Sequence, residues 1–204
     1  MNLIGMLKMI EYIYDQDILK IDVDAYVNTV NCVGIMGKGI ALHYKKNFPE
    51  MYNDYIDKCK KKKIKVGSLD VFHLSKSKSI IYFPTKKHWR GKSKIEYIEW
   101  GLKDFVKLYK QWGIKSVAFP PLGCGNGGLD WNVVSQLMEK YLESLDLDIK
   151  IVVNLKPLYL NELQRKSEIL TKEQLKTVLD TIDNMMTDDQ KKNLSQPKQS
   201  KLKI

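Results

Sequence analysis

The stretch Ser116–Trp131 reads SVAFPPLGCGNGGLDW and combines three kinds of sequence in a fixed order. Val117–Phe119 is a short apolar run of the kind that forms a buried strand, and two prolines end it. Four glycines follow within six residues, before an amphipathic run begins at Leu129. A strand that leads through glycines into a helix N-terminus turns backbone N–H groups toward an anion, usually a phosphate. The stretch therefore predicts an anion or nucleotide site, with a flexible loop that binds nothing as the alternative.

A second glycine-rich segment, Val27–Leu42, reads VNTVNCVGIMGKGIAL and has the same order. Asn28 and Asn31 stand at the end of its strand, where an amide can both donate to and accept from the hydroxyl groups of a sugar. Asparagines at such positions also cap turns, and the residues alone leave both interpretations open. The N–H groups at Gly37–Ile40 are candidates for holding a second part of a phosphorylated sugar.

Predicted strands and helices alternate along the chain. The strands are Met9–Tyr14, Ala25–Asn31, Asp70–Leu74, Ser79–Phe83, Ser116–Phe119 and Ile149–Val153. The helices are Ile40–Asn47, Glu50–Lys63, Ser93–Trp112 and Asn132–Ser144. Pro84 is expected to end the fourth strand, and Ser93 is expected to cap the third helix in a capping box with Glu96. The pattern predicts a three-layer α/β/α sandwich with a largely parallel or mixed sheet. Ligands bind at the carboxyl ends of such strands, so both glycine loops should face one crevice.

The composition limits the function classes. The chain has 204 residues, of which 44% are hydrophobic, so it can bury one substantial core. Its net charge of +10 fits a polyanionic partner, although small-molecule enzymes share such a balance. The three cysteines have no metal-ligand spacing and predict reduced thiols, and no metal or cofactor is expected. No apolar run reaches the ~20 residues that cross a bilayer, and the N-terminus does not resemble a signal peptide, so we expect a cytoplasmic protein with no membrane partner.

Asp17 lies in the sequence DQDIL, just after the first predicted strand. Its carboxylate is a candidate to accept a hydrogen bond from an adenine amino group. A lone aspartate at such a place is more often a turn cap, and that interpretation is kept beside the first.

The segment Phe83–Arg90 reads FPTKKHWR and is dense in cationic and aromatic side chains. Neighbouring positive charge disfavours an ammonium ion, so a lysine here is a candidate nucleophile. Trp89 is a candidate to stack on a base and Arg90 to pair with a phosphate. A basic surface loop is the alternative.

Lys58–Lys65 carries six lysines among eight residues. Cations favour the C-terminal end of a helix dipole, so a solvated helix end is the first interpretation. Contact with nucleic acid is the second.

The chain changes character after Val153. We expect a domain over residues 1–155, a short helical extension over residues 156–190, and a disordered basic tail over residues 191–204.

Three motifs in this order, VNTVNCVGIMGKGIAL, FPTKKHWR and PPLGCGNGGLDW, resemble the macrodomain family over about Met9–Val153. The resemblance implies the macrodomain sandwich and ADP-ribose bound in the crevice. The chain is most similar to the DarG-type branch of DNA ADP-ribosyl glycohydrolases, which are antitoxins paired with a DNA-modifying toxin, and it is also similar to terminal ADP-ribose glycohydrolase. What this implies is a glycosyl hydrolase that removes mono-ADP-ribose from a base of single-stranded DNA, with a possible cognate toxin as partner. A non-catalytic ADP-ribose reader, and a hydrolase of ADP-ribosyl esters on proteins or of ADP-ribose 1″-phosphate, are the alternatives.

The resemblance also assigns residue roles. Adenine contacts fall to Asp17 and Ile18, and the distal ribose to Asn28 and Asn31. The first ligand loop is formed by Gly37, Lys38, Gly39 and Ile40. The diphosphate loop is formed by Gly123, Cys124, Gly125, Asn126 and Gly127. Lys86 matches the catalytic lysine, and the nucleic-acid contacts fall to Lys87, His88, Trp89 and Arg90.

One position departs from the family pattern. The human relative carries an aspartate inside its second glycine loop, where this chain has Gly127. Asp130 follows three residues later, and a second carboxylate that could protonate a leaving group is therefore not identified.

Overall fold

The computed structural model describes residues 10–154, which form one six-stranded sheet with helices on both faces. The strands are β1 (Glu11–Tyr14), β2 (Ala25–Asn31), β3 (Asp70–His73), β4 (Ser79–Lys86), β5 (Ser116–Phe119) and β6 (Asp148–Val153). The helices are α1 (Gly39–Asn47), α2 (Pro49–Lys60), α3 (Ile95–Leu108) and α4 (Trp131–Leu142). A short 3-10 helix spans Ile18–Lys20.

The sheet is mixed, as predicted. Its strand order is β1-β6-β5-β2-β4-β3, and every neighbouring pair is parallel except β3 and β4, which form an antiparallel hairpin. The carboxyl ends of the five parallel strands therefore share one edge. The two glycine loops leave from β2 and β5, which are neighbours at that edge.

Each face of the sheet has its own core, which completes the three layers. Helices α1 and α2 cover one face with the buried side chains of Tyr44, Met51 and Tyr55. Helices α3 and α4 cover the other, where Phe105 of α3 packs edge-on against Phe119 of β5 with ring centroids 5.1 Å apart.

Pro84 does not end β4, contrary to the sequence prediction. The strand continues to Lys86, although proline lacks the N–H that a ladder needs. β3 pairs no farther along β4 than Tyr82, so this end of β4 has only β2 beside it. A bulge accompanies the proline: Val30 pairs with Pro84 but Asn31 pairs with Lys86, which leaves Thr85 without a partner in the register.

The predicted capping box at Ser93 is also wrong. Lys94 is the N-cap of α3 and makes no side-chain capping bond, and the helix ends at Leu108 rather than Trp112. Ser93 is instead held by the second glycine loop, because its N–H donates to the carbonyl oxygen of Gly127 at 2.9 Å. Ser93 therefore contacts a loop that is distant in sequence instead of capping α3.

The predicted extension and tail, and the start of the predicted first strand at Met9, lie outside the described residues. Within residues 10–154, no helix is both long and apolar enough to span a membrane. The same residues contain no group of three or more His, Cys, Asp or Glu side chains placed to hold a metal ion.

Candidate functional site

The two glycine loops meet at the carboxyl edge of the sheet. A Cβ atom on Gly39 of the first loop would lie 2.8 Å from Nδ2 of Asn126 in the second. Gly39 also has a φ of +57°, a region that favours glycine. The two loops therefore lie against each other at this edge, and the backbone conformation favours glycine where they meet.

The second loop is folded by two hydrogen bonds of its own backbone. The N–H of Gly128 donates to Gly125, and the N–H of Leu129 donates to Gly123, both at 3.1 Å. Among the described residues, no hydrogen bond uses the N–H groups of Gly125, Asn126 or Gly127 as donor. Successive unpaired N–H groups in a tight loop form a concave site for an anion, which is the chemistry predicted for this stretch.

Gly127 cannot be exchanged for a residue with a side chain without moving the loop. A Cβ atom there would overlap the carbonyl oxygen of Gly123 and the hydroxyl of Ser93. Asp130 does not replace the missing acid, since it caps α4 and accepts from the N–H of Asn132 at 2.8 Å. The loop thus carries no free carboxylate within the part of the chain that the structure describes.

Cys124 belongs to the core rather than to the crevice. Its side chain is buried, and its thiol donates to the carbonyl oxygen of Leu122 at 3.5 Å. Any contribution of Cys124 to a ligand would come from the backbone of the loop.

The first loop is organised by Asn31. The amide oxygen of Asn31 accepts from the N–H of Val33 at 3.0 Å, and its amide nitrogen donates to the carbonyl oxygen of Ile35 at 2.5 Å. The hydroxyl of Tyr55 reaches the same amide oxygen at 3.2 Å. Asn31 therefore shapes the loop with its own side chain, as the turn-cap interpretation expects, and its contact with a ribose stays a prediction.

The N-terminus of α1 opens toward the crevice. Gly37, Lys38 and Gly39 are exposed, and Lys38 is an extended N-cap with no side-chain capping bond. The first N–H groups of a helix have no partner inside the helix, so those at Gly39 and Ile40 are available to a ligand.

Asn28 differs from Asn31 because one of its polar atoms has no partner. The side chain is completely buried, and its Nδ2 atom donates to the sulfur of Met36 at 3.9 Å. The Oδ1 atom of Asn28 is buried without a hydrogen-bond partner among the described residues. A buried acceptor left unpaired is costly, and such an atom near a binding crevice is a candidate for a ligand hydroxyl.

Asp17 is both a cap and the hydrogen-bond partner of His43. Its Oδ1 atom accepts from the N–H of Leu19 at 3.1 Å and lies 2.9 Å from Nε2 of His43 on α1. Sequence reasoning missed His43, because no local pattern relates it to a residue 26 positions earlier. Ile18 is buried in the core, which leaves only its backbone for a ligand.

Lys86 lies at the end of β4 and reaches across to the second loop. Its Nζ atom donates to the carbonyl oxygen of Asn126 at 2.5 Å. Partial burial lowers the pKa of the Lys86 ammonium below its usual value, and burial is the cause, rather than the neighbouring positive charge that the sequence suggested. The structure thus provides a lysine with an increased share of free amine beside the candidate anion site.

Cys32 fixes the backbone around Lys86, a role that sequence reasoning missed. Its thiol donates to the carbonyl oxygen of Lys86 at 3.3 Å, and its N–H donates to that of Lys87 at 3.2 Å. The first loop and the end of β4 are thereby joined directly.

Sequence reasoning also missed that Ser93 contacts the second loop, where its N–H donates to the carbonyl oxygen of Gly127. Its side chain is buried, and its Oγ atom has no hydrogen-bond partner among the described residues. The hydroxyl occupies the space that a side chain at Gly127 would need.

Residues 87–90 form an exposed cluster that continues from Lys86. The indole of Trp89 is 45% exposed, with the Arg90 guanidinium 4.5 Å from its ring centroid and the His88 ring stacked 5.6 Å away. Lys87 lies apart from the other three, with its Nζ atom 6.0 Å from the ring centroid of Tyr97. His88, Trp89 and Arg90 together form an aromatic and cationic platform, which suits single-stranded nucleic acid.

A protein-family model and curated relatives match this chain. The family model described as Macro domain matches residues 27–138. The DNA ADP-ribosyl glycohydrolase of Mycobacterium tuberculosis is 49% identical over 139 residues, which cover 66% of this chain and 40% of that protein. The chain spans about two fifths of the length of the curated relatives it matches most strongly.

Solved structures are similar as well. The macrodomain of Thermus aquaticus DarG superimposes with a TM-score of 0.66 at 42% identity, covering 72% of this chain and 97% of that one. The Thermosipho africanus DarTG complex with ADP-ribose gives a TM-score of 0.63 at 39% identity, covering 66% of this chain and 39% of that one.

Proposed function

This chain belongs to the macrodomain family, and from that premise we propose that it is an ADP-ribosyl glycohydrolase that removes mono-ADP-ribose from a base of single-stranded DNA. The observation that carries the proposal is the position of Lys86. A half-buried lysine with a lowered pKa contacts the loop that offers unpaired N–H groups to an anion. Two relatives, which are 49% and 45% identical to this chain over the aligned residues, are named DNA ADP-ribosyl glycohydrolase.

We propose that ADP-ribose makes four sets of contacts in the crevice. Asp17 accepts from the adenine amino group through Oδ2, since both of its described contacts use Oδ1. The N–H groups of Gly125, Asn126 and Gly127 bind the diphosphate, while those of Gly37–Ile40 bind from the opposite side. The unpaired Oδ1 atom of Asn28 accepts from a hydroxyl of the distal ribose.

In the proposed reaction, the free amine of Lys86 attacks the anomeric carbon of the distal ribose. A carbon–nitrogen bond to the lysine forms as the glycosidic bond to the base breaks, and the bonding electrons leave with the base. After the attack, the substituted lysine nitrogen carries one proton too many and loses it. The departing base takes up one proton, so the step is balanced. Water then hydrolyses the lysyl adduct, which releases ADP-ribose and restores the amine. Charge spread over a pyrimidine base makes it a tolerable leaving group, which fits a loop without an acid at Gly127.

The platform of His88, Trp89 and Arg90 supports DNA as the substrate. It is exposed and follows Lys86 directly in the chain, so bases adjoining the modified nucleotide are within reach of its rings. Lys87, which lies toward Tyr97, adds a positive charge to the same exposed segment.

The remaining parts of the proposal concern the setting of the protein. The name of the Thermosipho africanus relative, a DNA ADP-ribosyl transferase fused to a DNA ADP-ribosyl glycohydrolase, supports a DNA-modifying toxin as the cognate partner. A DNA substrate and three free cysteines support a cytoplasmic location. We place the ADP-ribose-binding domain at residues 1–155, followed by a helical extension (156–190) and a basic tail (191–204).

The test uses a single-stranded oligonucleotide that carries mono-ADP-ribose on one base. Wild-type protein should restore the unmodified strand and release ADP-ribose, and Lys86→Ala should be slower by about 10³-fold or more, as expected for loss of a nucleophile. Calorimetry with ADP-ribose provides the control, because the variant should still bind it. Equal rates for the two proteins would refute the role of Lys86.

The absence of a free carboxylate in the second loop favours one other candidate, a non-catalytic reader of ADP-ribose. Tight ADP-ribose binding without turnover of modified DNA, of ADP-ribosyl esters on protein or of ADP-ribose 1″-phosphate would establish the reader. Turnover of the ester or the phosphate alone would instead identify a different hydrolase.

A further inference from the structure

Four lysines at and just after the end of α2 form an exposed cationic surface that the proposed reaction does not use. The lysine ridge, as we call it, consists of Lys60, Lys62, Lys63 and Lys65. None of the four makes an ion pair with another described residue. Lys58 and Lys61 are excluded, because Lys58 pairs with Asp54 and Asp70 and Lys61 pairs with Asp57.

The backbone beneath the ridge is well fixed. The N–H of Lys62 donates to Cys59 and that of Lys63 to Lys58, both at 2.9 Å, which closes the C-terminus of α2. Ile64 is buried in the core between the exposed lysines. The four charges therefore stand on a rigid part of the fold.

The ridge adjoins the first glycine loop. A Cβ atom on Gly34 of the first loop would lie 3.7 Å from Cβ of Cys59, the residue before Lys60. The hydroxyl of Tyr52, on α2, donates to the carbonyl oxygen of Gly34 in the same loop at 3.4 Å. Cys32 of this loop bonds in turn to the carbonyl oxygens of Lys86 and Lys87, so the first loop connects the end of α2 to the end of β4.

Lys62 stands at a position that favours glycine. It is one of two described non-glycine residues with positive φ, at +57°, and it follows the helix end where glycine is the usual choice. A lysine here supplies a charge at some cost in backbone conformation, and glycine would remove both.

We propose that the lysine ridge binds the phosphodiester backbone of the DNA strand that carries the modified base. The inference rests on the proposed function and extends it to a substrate longer than one nucleotide. Bases would stack on the platform of His88, Trp89 and Arg90, while phosphates on one side of the modified nucleotide lie along the ridge. Positive charge adjoining exposed aromatic rings is the arrangement that binds single strands without reading sequence. An acidic peptide would use the charges but not the rings.

The experiment compares two triple variants with equal loss of charge. The ridge variant is Lys60→Gln, Lys62→Gly and Lys63→Gln. The control variant is Lys107→Gln, Lys110→Gln and Lys115→Gln. These control lysines are exposed and lie near the end of α3 and the start of β5, at the edge of the sheet opposite the crevice.

The measurement is fluorescence anisotropy with an unmodified single-stranded 20-mer between about 50 and 200 mM salt. Each phosphate contact contributes about 0.7 to the slope of log affinity against log salt. Loss of three contacts should lower that slope by about 2, so wild type should lose roughly 20-fold more affinity than the ridge variant over this range. The control variant should behave as wild type, and Lys62→Gly alone should show a smaller change in the same direction while remaining as stable as wild type.

Equal slopes for wild type and the ridge variant would overturn the proposal, as would an equal loss in the control variant. Cleavage separates this inference from the proposed function. The ridge variant should cleave an ADP-ribosylated mononucleotide at the wild-type rate, but should show a raised KM for the ADP-ribosylated 20-mer. If wild-type protein cleaves neither substrate, the proposed function fails, whereas the binding of the unmodified strand still decides whether the ridge contacts DNA.

Discussion

The Nζ atom of Lys86 lies 2.5 Å from the carbonyl oxygen of Asn126, which joins the end of β4 to the loop between β5 and α4. The same loop offers its N–H groups to the crevice, so one short segment both positions the lysine and forms the candidate anion site. In the proposed reaction, binding of a diphosphate to this loop would position Lys86 at the same time.

The pH dependence of the reaction should report the free amine of Lys86. Burial lowers the pKa of this lysine below 10.5, so the neutral form gains population as the pH rises toward that lowered value. We expect kcat/KM on ADP-ribosylated DNA to increase with pH and to level off below 10.5. Lys86→Arg should be inactive across the range, because a guanidinium stays protonated. A flat profile would contradict attack by Lys86.

Asn28 and Asn31 should respond differently to replacement by leucine. Asn28→Leu removes a buried acceptor that has no described partner, so the free energy of unfolding should stay within about 1 kcal/mol of wild type while ADP-ribose affinity falls about tenfold. Asn31→Leu removes bonds to Val33 and Ile35, and should destabilise the protein by about 2–3 kcal/mol. Urea unfolding and calorimetry measure the two quantities. Similar losses of stability in both variants would show that Asn28 is structural.

Gly127 and Gly125 provide a matched pair within the second loop. Gly127→Ala places a methyl group against Gly123 and Ser93, and should cost about 1–3 kcal/mol in the free energy of unfolding. Gly125→Ala meets no atom within 4 Å and should leave that free energy almost unchanged. Urea unfolding of both variants decides the matter, and equal stability would mean that the loop yields at Gly127 without cost.

Trp89 should contribute to DNA binding, whereas Trp100 should not. The two indoles are similarly exposed, at 45% and 47%, but Trp100 lies on α3 against Gly67. Stacking on a base is worth about 1–3 kcal/mol, so Trp89→Ala should weaken binding of a single-stranded oligonucleotide by at least about fivefold. Trp100→Ala should not weaken it, and neither variant should change ADP-ribose affinity. Comparable losses in both would refute a specific platform.

The elements of the fold could be predicted because the signals that define them are local. Short apolar runs predicted the six strands and helical periodicity the four α-helices to within a few residues, and glycine density identified both loops, whereas the 3-10 helix at Ile18–Lys20 was expected to be a turn. The resemblance of three motifs supplied the family. What could not be predicted depends on residues that are distant in sequence.

Ser93 shows the limit most clearly. Its spacing to Glu96 fits a capping box, but its N–H bonds to Gly127 instead, 34 residues later, and no local pattern contains that contact. Asp17 likewise met its partner His43 only through the packing of α1. For Lys86, the sequence predicted a lowered pKa from neighbouring positive charge. The direction was correct, but the cause in the structure is burial.

The bulge at Thr85 implies a constraint on length rather than on composition. After the pair Val30 and Pro84, β2 advances by one residue to Asn31 while β4 advances by two residues to Lys86. The extra residue in β4 is what brings Lys86 opposite Asn31. Successive residues of a strand point to opposite faces, so deleting or inserting one residue here would turn the lysine away from the crevice. Homologous sequences should therefore vary in the identity of the residues between Phe83 and Lys86 much more readily than in their number.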